Sequence, residues 1–379
     1  MERAWSIPDA IRLEVGEPDF ATPAHVLAAA QAAMDEGFTR YTSNAGIPEL
    51  RQAVARKAAA ASGRPVDPDQ VIVTTGAVTA IFTTLLALVD PGDEVLAPDP
   101  AWPNAAMALH LLGARAVAYP LSVDDGFVPR VDALEALITP RTRALLINTP
   151  ANPTGAVFPA EAVARLVDLC RRHDLYLISD EIYGDIVFDH PHVPARAFDE
   201  DDRVFTIGGV SKGYAMTGWR IGWVIAPPHA ADLLARLQEP LTSCPNAVAQ
   251  RASVAALDGP QDVVETMRRA YRGRRDQAVE LLRRRGRWRY SPQGAFYLMV
   301  DIRDTGLSST RFALTLLDEA SVAVAPGSAF GAGGEGFVRV SLASPEQAVL
   351  TGLERLCDLA DALAAGSGRR AAGGGAAGL

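Results

Sequence analysis

The stretch ALLINTPANPTGAVFPAEAVARLVDLCRRHDLYLISDEIYGD, residues 144–185, contains a complete strand–helix–strand unit. ALLIN (144–148) is a short apolar run typical of a buried strand, and the turn-forming residues TPANPTG follow it. In residues 160–173 apolar side chains recur at helical spacing, and LYLIS (175–179) is a second apolar run. This order of elements predicts a crossover connection between two parallel strands.

The same alternation of apolar runs and helical patterns continues on both sides of this unit. Further runs are VIVT (71–74), EVLA (94–97), VFTI (204–207) and IGWVIA (221–226). Repeated strand–helix–strand units predict an α/β fold, and we expect a three-layer α/β/α large domain with a mostly parallel sheet.

A smaller α+β domain is predicted after residue 275. It has a long helical stretch, a strand in GAFYLMVDI (294–302), a helix at 310–320, and strands around 322–325 and 337–342. The predicted division is an N-terminal arm with part of the small domain (1–44), the large domain (45–275), the small C-terminal domain (276–364) and a disordered low-complexity tail (365–379).

The composition is that of a globular protein with a substantial core. Hydrophobic residues make up 49% and charged residues 21%, and the net charge of −9 argues against a nucleic acid or an anionic membrane as a partner. The longest apolar run, residues 80–89, is too short to cross a bilayer. Three widely spaced cysteines favour a reducing cytoplasm: Cys170, Cys244 and Cys357. The arginine-rich segment 268–289 is interpreted as a solvated helix face.

Unusual residues, most of them polar, follow five of the predicted strands. They are Gly76, Trp102, Asn152, Asp180 and Lys212. In an open α/β sheet, ligands bind outside the carboxyl ends of the strands. We therefore expect these residues to meet in one crevice.

Lys212 lies in GGVSKGYAMTGWRIGW (208–223) and is one of only two lysines among 36 Lys and Arg residues. An amine, unlike a guanidinium, loses its proton near neutral pH when its surroundings disfavour the charge, and it then adds to an aldehyde as a Schiff base. The alternative is that the lysine stands there by chance. The other lysine, Lys57, has the pattern of an exposed helix residue.

Asp180, Tyr183 and Asn152 carry groups that a pyridine-type cofactor needs. If the aldehyde held by Lys212 is pyridoxal 5'-phosphate, Asp180 can pair with the ring nitrogen and keep it protonated. Tyr183 and Asn152 can hydrogen-bond the phenolic oxygen of the ring. The alternatives are structural: Asp180 caps a helix, and Asn152 belongs to a turn.

A phosphate group can find its donors at the start of a helix. In TTGAVTAIF the pair Gly76–Ala77 stands directly before an apolar helix, so the free N–H groups of the first turn of that helix form an anion site. Arg220, eight residues after Lys212, offers a guanidinium fork to the same phosphate. Trp102 either gives a heteroaromatic ring a flat face for stacking or belongs to the core.

Arg339 lies within an apolar strand pattern, FVRVSLA. An arginine in this setting is seldom unpaired, so it binds either a substrate carboxylate or a carboxylate of the protein in an internal ion pair.

The HPH sequence at 190–192 lacks a third ligand at useful spacing and is interpreted as a loop, not a metal site. The acidic pair Glu17 and Asp19 in GEPDF is interpreted as part of a rigid turn.

Together these motifs resemble the class I and II aminotransferases, which are pyridoxal-phosphate enzymes of fold type I. The similarity covers about residues 11–362, and the matching motifs are VGEPDFATP, RYTSNAGIPELRQAVA, TTGAVTA, ALVDPGDEVLAPDPAW, NTPANPTG, SDEIYGDI and SKGYAMTGWRIGW. The resemblance implies an aminotransferase that moves an amino group between an L-amino acid and a 2-oxo acid by a ping-pong mechanism.

The resemblance implies a role in cofactor chemistry for five residues. Lys212 forms the Schiff base and, once released, removes the Cα proton. Asp180 pairs with the ring nitrogen, while Asn152 and Tyr183 hold the phenolic oxygen. Trp102 stacks on the ring, and together with Asn152 it also borders the substrate.

It further implies how the phosphate and the substrate are bound. Arg220 and the backbone of residues 76–78 hold the phosphate. Arg339 binds the substrate α-carboxylate, assisted by the backbone of Gly16. Tyr41 resembles the residue that reaches the phosphate of the partner subunit, which implies a homodimer.

Gly209 departs from the pattern, because many members have a serine there that touches the phosphate. The sequence therefore predicts one hydrogen bond fewer at this point. A β- or γ-lyase on the same fold is the first alternative function, since nothing in the lysine motif excludes it. A non-catalytic, cofactor-binding regulatory module is a second, but GEPDF begins at residue 16 and leaves no room for a DNA-binding segment before it.

Overall fold

The structure is a computed structural model that describes residues 2–373, with side chains described from residue 3 to residue 365. The strands of this part of the chain are β1 (Ile11–Arg12), β2 (Val71–Thr74), β3 (Glu94–Asp99), β4 (Arg115–Pro120), β5 (Thr142–Asn148), β6 (Tyr176–Asp180), β7 (Val204–Gly209), β8 (Gly222–Ile225), β9 (Tyr297–Asp301), β10 (Val322–Ala323), β11 (Ala325–Pro326) and β12 (Phe337–Ser341). The α-helices are α1 (Glu2–Trp5), α2 (Ala24–Asp35), α3 (Pro48–Ser62), α4 (Ala77–Leu88), α5 (Asn104–Leu111), α6 (Val131–Glu135), α7 (Ala160–Arg172), α8 (Pro228–Thr242), α9 (Ala247–Asp258), α10 (Asp262–Arg284), α11 (Ser309–Ala320) and α12 (Glu346–Gly373).

A seven-stranded sheet with the strand order β2-β8-β7-β6-β5-β3-β4 forms the centre of the fold. Strands β3 to β7 pair with one another in parallel, whereas β8 is antiparallel to both of its neighbours, β7 and β2. The predicted α/β fold with a mostly parallel sheet is confirmed.

Helices cover both faces of this sheet. Along β5, Leu145 and Ile147 belong to a hydrophobic cluster that includes residues of α7. Ala144 and Leu146, which alternate with them, belong to a second cluster that includes residues of α4 and α5. Because successive side chains of a strand point to opposite faces, the sheet is the middle of three layers.

Strand β4 was not predicted from the sequence. Within residues 2–373 it pairs only with β3, at the edge of the sheet. Among its six residues only Tyr119 is buried, and Arg115, Ala118 and Pro120 are exposed. An edge strand of this kind lacks the continuous apolar run that marks the buried strands.

Two smaller sheets join the ends of the chain. β9, β11 and β12 form an antiparallel three-stranded sheet, and β1 pairs in parallel with β10, so the N-terminal segment packs with the C-terminal part. The predicted boundary between residues 275 and 276 lies inside α10, and the division into domains stays a prediction. For the predicted tail, 365–379, the side chains from residue 366 onward and residues 374–379 lie outside what the structure describes.

Helix α10 carries most of the arginine-rich segment, and two of its arginines are buried. Arg274 binds Asp19 through two bonds of 2.9 and 2.8 Å, and Arg275 binds Asp189 at 2.8 Å. The interpretation of this segment as a solvated face was wrong for these two residues, because carboxylates from distant loops pair with them. None of the helices in the described residues is long and apolar enough to span a membrane.

The carboxyl ends of five strands meet at one edge of the central sheet. β3, β5, β6 and β7 run in the same direction, and β2 shares it because β8 is antiparallel to both β2 and β7. The five residues that were expected in one crevice lie at or just after these ends: Gly76, Trp102, Asn152, Asp180 and Lys212.

Candidate active site

A cavity of about 460 Å³ lies at this edge of the sheet. Ten of the residues singled out in the sequence line it: Gly16, Ala77, Val78, Trp102, Asn152, Asp180, Tyr183, Lys212, Arg220 and Arg339. Gly76 adjoins the cavity next to Arg220, and Tyr41 does not belong to its lining.

Lys212 follows β7, and its Nζ donates a hydrogen bond to the carbonyl oxygen of Gly16 at 2.8 Å. It has no ion-pair partner among the described residues. Burial lowers the pKa of Lys212 from 10.5 to about 8; the nearby Glu17 opposes this shift, whereas the positive charges of Arg339 and Arg220 add to it. The amine therefore gives up its proton more readily than an exposed lysine does.

Asp180 is the last residue of β6 and is only 6% exposed. Its Oδ1 accepts the backbone N–H of Ile182 at 3.2 Å, in a turn and not at the start of a helix. Burial raises the pKa of Asp180 from 3.8 to about 7, and within the described part of the chain no cation forms an ion pair with it. A buried carboxylate without a cation partner is stabilised in its ionised form when a ligand places a positive charge beside it.

Arg339, in β12, is only 6% exposed and has no carboxylate partner in the part of the chain that the structure describes. Its guanidinium carbon lies 4.5 Å from the ring centroid of Tyr297 and 4.7 Å from that of Phe330. Its Nη1 donates to Asn152 Oδ1 at 3.0 Å and its Nη2 donates to the carbonyl oxygen of Glu14, whereas its Nε has no hydrogen-bond partner within the described residues. The internal ion pair that was one alternative for Arg339 is therefore not formed by these residues.

Tyr183 and Tyr297 form a buried hydroxyl pair, with their oxygens 2.9 Å apart. Burial raises the pKa of both phenols, so both are protonated at neutral pH. Tyr297 was not identified from the sequence, although it lies in GAFYLMVDI. A tyrosine within an otherwise apolar strand usually needs a partner for its hydroxyl, and this was the signal available.

Gly76 and Arg220 form the region expected to hold a phosphate. Gly76 has φ 83° and ψ 161° and precedes α4, whose first N–H groups are free of helix acceptors. Arg220 Nη2 would lie 2.5 Å from a Cβ added at Gly76, so the guanidinium lies directly over the glycine. Arg220 is exposed, donates through Nη1 to the carbonyl oxygen of Thr217 at 2.9 Å, and forms no ion pair within the described residues.

Trp102 and Asn152 are held together at the cavity wall. The Trp102 backbone N–H donates to the Asn152 carbonyl oxygen at 3.1 Å, and the Asn152 N–H donates to Asn148 Oδ1 at 2.8 Å. The Trp102 ring is partly buried against a core cluster and also lines the cavity, and its stacking on a heteroaromatic ring stays a prediction. In this structure the Asn152 side-chain oxygen is bonded to Arg339.

Gly209 leaves no space for a side chain. A Cβ added there would lie 2.9 Å from Ile182 Cδ1 and 3.0 Å from the carbonyl oxygen of Ile221. Crowding by these neighbours is a physical reason for glycine at the position where many members of the resembling family have serine.

Lys57 is not the exposed helix residue that the sequence predicted. Its Nζ lies 2.7 Å from Asp185 Oδ1 and 3.0 Å from the Tyr214 hydroxyl. Burial is the largest single effect and lowers the pKa of Lys57, but the charges of Asp185 and Tyr214 and their hydrogen bonds to Nζ together outweigh it, so the pKa is raised. The prediction was wrong because Asp185 lies 128 residues away, and a local helix pattern contains no sign of it.

The HPH sequence lies in a loop after β6. His192 is partly buried there, and its Nε2 lies 3.1 Å from Glu181 Oε2. Among the residues that the structure describes, no three His, Cys, Asp or Glu side chains are grouped so that they could hold a metal ion.

Sequence comparison identifies the family. The family model described as aminotransferase class I and II matches residues 8–356. Aspartate/prephenate aminotransferase of Thermus thermophilus is 41% identical over 351 residues, which cover 92% of this chain and 90% of that protein. Aromatic-amino-acid aminotransferase 2 of Thermococcus litoralis is 40% identical, with 93% and 92% covered, and an arginine–pyruvate transaminase of Pseudomonas aeruginosa is 42% identical, with 87% and 84% covered.

Solved structures give the same result. The aromatic aminotransferase from Pyrococcus horikoshii superposes with a TM-score of 0.91 at 39% identity, covering 95% of this chain and 98% of that one. Aspartate aminotransferase from Thermus thermophilus with maleate superposes with a TM-score of 0.90, also at 39% identity, covering 94% and 93%. The chain therefore belongs to the class I and II aminotransferases, a family of pyridoxal-phosphate-dependent transaminases.

Proposed function

We propose that the cavity around Lys212 binds pyridoxal 5'-phosphate and that the protein transfers an amino group between an L-amino acid and a 2-oxo acid. One observation carries this proposal: four ionisable side chains line a single cavity, and none of them has an ion-pair partner among the described residues. They are Asp180, Lys212, Arg220 and Arg339. The cofactor or the substrate would bring the polar or oppositely charged group that each of these side chains lacks.

The residues of the cavity fit this cofactor. The start of α4 and Arg220 together form an anion site for its phosphate, because helix N–H groups and a guanidinium both donate to phosphate oxygens.

The ring of the cofactor has its own proposed partners. Asp180, when ionised, holds a proton on the ring nitrogen, and Trp102 offers its ring for stacking. Asn152 and Tyr183 are proposed to hold the phenolic oxygen, and Lys212 Nζ to bond to the aldehyde carbon as a Schiff base. When bound, pyridoxal 5'-phosphate supplies an electron sink for the negative charge that develops at the substrate Cα.

Lys212 is proposed to act as the general base. An amine with a pKa of about 8 is partly unprotonated at neutral pH, so its Nζ can accept the Cα proton and later return it. The bond to the Gly16 carbonyl oxygen places Nζ at the cavity wall.

Arg339 is proposed to bind the α-carboxylate of the substrate. A guanidinium matches a carboxylate in a planar fork, and Arg339 is already oriented by two rings and by Asn152. Gly16 lines the same wall and is proposed to assist through its backbone. Binding at this point fixes the substrate Cα near Lys212, which is the main requirement for the proton transfer.

The products distinguish transamination from elimination. The protein loaded with pyridoxal phosphate is incubated with a panel of amino acids without an acceptor, and then with 2-oxoglutarate or pyruvate added. Conversion of the cofactor to pyridoxamine phosphate, reversed by the 2-oxo acid, supports transamination. Release of pyruvate and ammonia without need of an acceptor would contradict it. The names of the relatives favour the first result, since all those described above are aminotransferases or transaminases.

A homodimer is part of this proposal, with Tyr41 reaching the phosphate of the partner subunit. Tyr41 is 90% exposed, and its neighbour Thr42 donates its backbone N–H to Cys244 Sγ at 3.4 Å, close to the end of α8. Leu241, in the last turn of α8, is also exposed, at 37%. Exposed large apolar side chains of this kind are suited to an interface between subunits.

Mixing two inactive variants tests whether Tyr41 acts in the partner. Tyr41→Ala and Lys212→Ala subunits are mixed after mild denaturation. If Tyr41 acts across the interface, half of the dimers are mixed and each has one intact site, so about a quarter of the wild-type activity returns. If Tyr41 acts within its own chain, no activity returns.

The cytoplasm is the proposed location. This rests on three cysteines that form no disulfide, Cys170, Cys244 and Cys357. Fractionation of producing cells tests it, and recovery of the protein outside the cytoplasmic fraction would contradict it.

A further inference from the structure

Tyr297 lines the cavity from a different sheet than the predicted site residues that follow the central strands. It begins β9, which pairs with β12 so that Tyr297 lies opposite Ser341 and Met299 lies opposite Arg339. Tyr297 is 2% exposed. Tyr297 is therefore a diagonal neighbour, on the adjacent strand, of Arg339, which is proposed to bind the substrate carboxylate.

The Tyr297 side chain touches two proposed functional groups at once. The face of its ring lies against the Arg339 guanidinium, at 4.5 Å from ring centroid to guanidinium carbon. Its hydroxyl oxygen lies 2.9 Å from that of Tyr183. The ring and the hydroxyl thus have separate partners with separate proposed tasks, one on the substrate and one on the cofactor.

The backbone of Gly16 fixes Tyr297 from a third side. A Cβ added at Gly16 would lie 1.8 Å from the Tyr297 hydroxyl oxygen, so only a glycine allows this approach. The same Gly16 provides the carbonyl oxygen that accepts Lys212 Nζ. With the ring of Phe296 centred 4.9 Å from its own ring, Tyr297 has little freedom to move.

We propose that Tyr297 is a positioning residue that couples the carboxylate site to the cofactor site. Its ring holds the Arg339 guanidinium in the orientation in which it can bind a carboxylate. Its hydroxyl donates a hydrogen bond to the Tyr183 oxygen, so that Tyr183 directs its own O–H at the phenolic oxygen of the cofactor. This inference rests on the proposed function.

The direction of the hydroxyl pair follows from the number of donors. Each tyrosine has one O–H, and each oxygen can also accept. If Tyr183 gives its proton to the cofactor, only Tyr297 can donate within the pair. A hydroxyl that accepts a hydrogen bond becomes a stronger donor, so Tyr297 strengthens the contact made by Tyr183. The charged groups near the pair are Arg339 from β12, Asp180 from β6, Lys212 from the segment after β7 and Glu14 from the segment after β1.

Three variants separate these roles. Tyr297→Phe removes the hydroxyl and keeps the ring, and Tyr297→Leu removes both. Tyr271→Phe is the matched control, because Tyr271 is also fully buried and lies beside Phe296, at 5.2 Å between centroids, but its hydroxyl has no hydrogen-bond partner among the described residues. The readouts are the pH titration of the visible absorbance of the cofactor-loaded protein, and KM and kcat for one amino donor.

Hydrogen bonding to the phenolic oxygen draws negative charge away from the link to Lys212. When this hydrogen bond is weakened, more negative charge remains near the nitrogen that joins Lys212 to the cofactor. The pH at which that nitrogen loses its proton therefore rises. We expect Tyr297→Phe to raise the titration midpoint by about one unit, in the direction of Tyr183→Phe, with KM changed less than about twofold. Tyr297→Leu should also raise KM by about tenfold, because Arg339 loses the ring that holds it.

Two results would overturn the inference. One is a Tyr297→Phe titration that matches wild type, and the other is an equal shift in Tyr271→Phe. A wild-type protein without any titrating absorbance would instead refute the proposed function, so the two failures can be told apart.

Discussion

Replacing Gly76 by Ala tests whether the turn before α4 is built to bind the phosphate. Gly76 has φ 83° and ψ 161°, a region that is essentially restricted to glycine, so alanine should destabilise the fold by about 1–3 kcal/mol. The new Cβ would also lie 2.5 Å from Arg220 Nη2 and 3.0 Å from its Cζ, so the guanidinium must move. A displaced charge-assisted hydrogen bond is worth about 1.5–3 kcal/mol, which corresponds to about a 10- to 100-fold loss of affinity for pyridoxal phosphate.

Gly63→Ala is the matched control for this substitution. Gly63 also has a positive φ, 69°, at the end of α3, but no atom of the described residues lies within 4 Å of a Cβ added there. It should lower stability by about 1–2 kcal/mol without changing cofactor affinity. Urea unfolding measures the stability of both variants, and titration of the cofactor-free protein with pyridoxal phosphate, followed by absorbance, measures affinity. If Gly76→Ala binds the cofactor as tightly as Gly63→Ala, the assignment of the phosphate site to this turn is refuted.

Three further substitutions test other parts of the account. The pKa of Asp180 is raised from 3.8 to about 7, so its contribution to the stability of the cofactor-free protein is fully present below pH 3.8 and is lost as the pH rises to about 7. Urea unfolding across this range should show the loss in wild type and not in Asp180→Asn, and equal pH profiles would contradict it. Arg339→Lys should raise KM for the amino donor by about tenfold or more, because an ammonium cannot reproduce the planar fork; an unchanged KM in steady-state kinetics would count against carboxylate binding there. Lys57→Met should lower the free energy of unfolding by about 1–2 kcal/mol and leave cofactor binding intact, because it leaves Asp185 and Tyr214 without their cation; thermal or urea unfolding that matches wild type would show that the pair contributes nothing.

The sequence was informative wherever a local pattern reflects the fold. The buried parallel strands are continuous apolar runs, and the residues at or just after their carboxyl ends, such as Asp180 at the end of β6, lie at the edge where the cavity forms. Strand β4 had no such run, because its edge position leaves half of its residues exposed. The positions of the site residues could therefore be predicted to the extent that they follow buried strands.

Contacts between distant segments could not be predicted in this way. Tyr297 lies 114 residues from Tyr183, and nothing in either local sequence indicates that their hydroxyls meet. The ion pair of Arg274 with Asp19 spans 255 residues, and from sequence both looked like ordinary surface or turn residues. Such partners are chosen by the packing of whole elements, which a single stretch of sequence does not encode.

The covalent attachment of the cofactor is the central claim, and the near absence of lysine makes it directly measurable. Protein loaded with pyridoxal phosphate is reduced with borohydride, digested and analysed by mass spectrometry, which locates the pyridoxyl group on one of two lysines. The account predicts that it is found on Lys212 and not on Lys57. An adduct on Lys57, or no adduct on either residue, would contradict it.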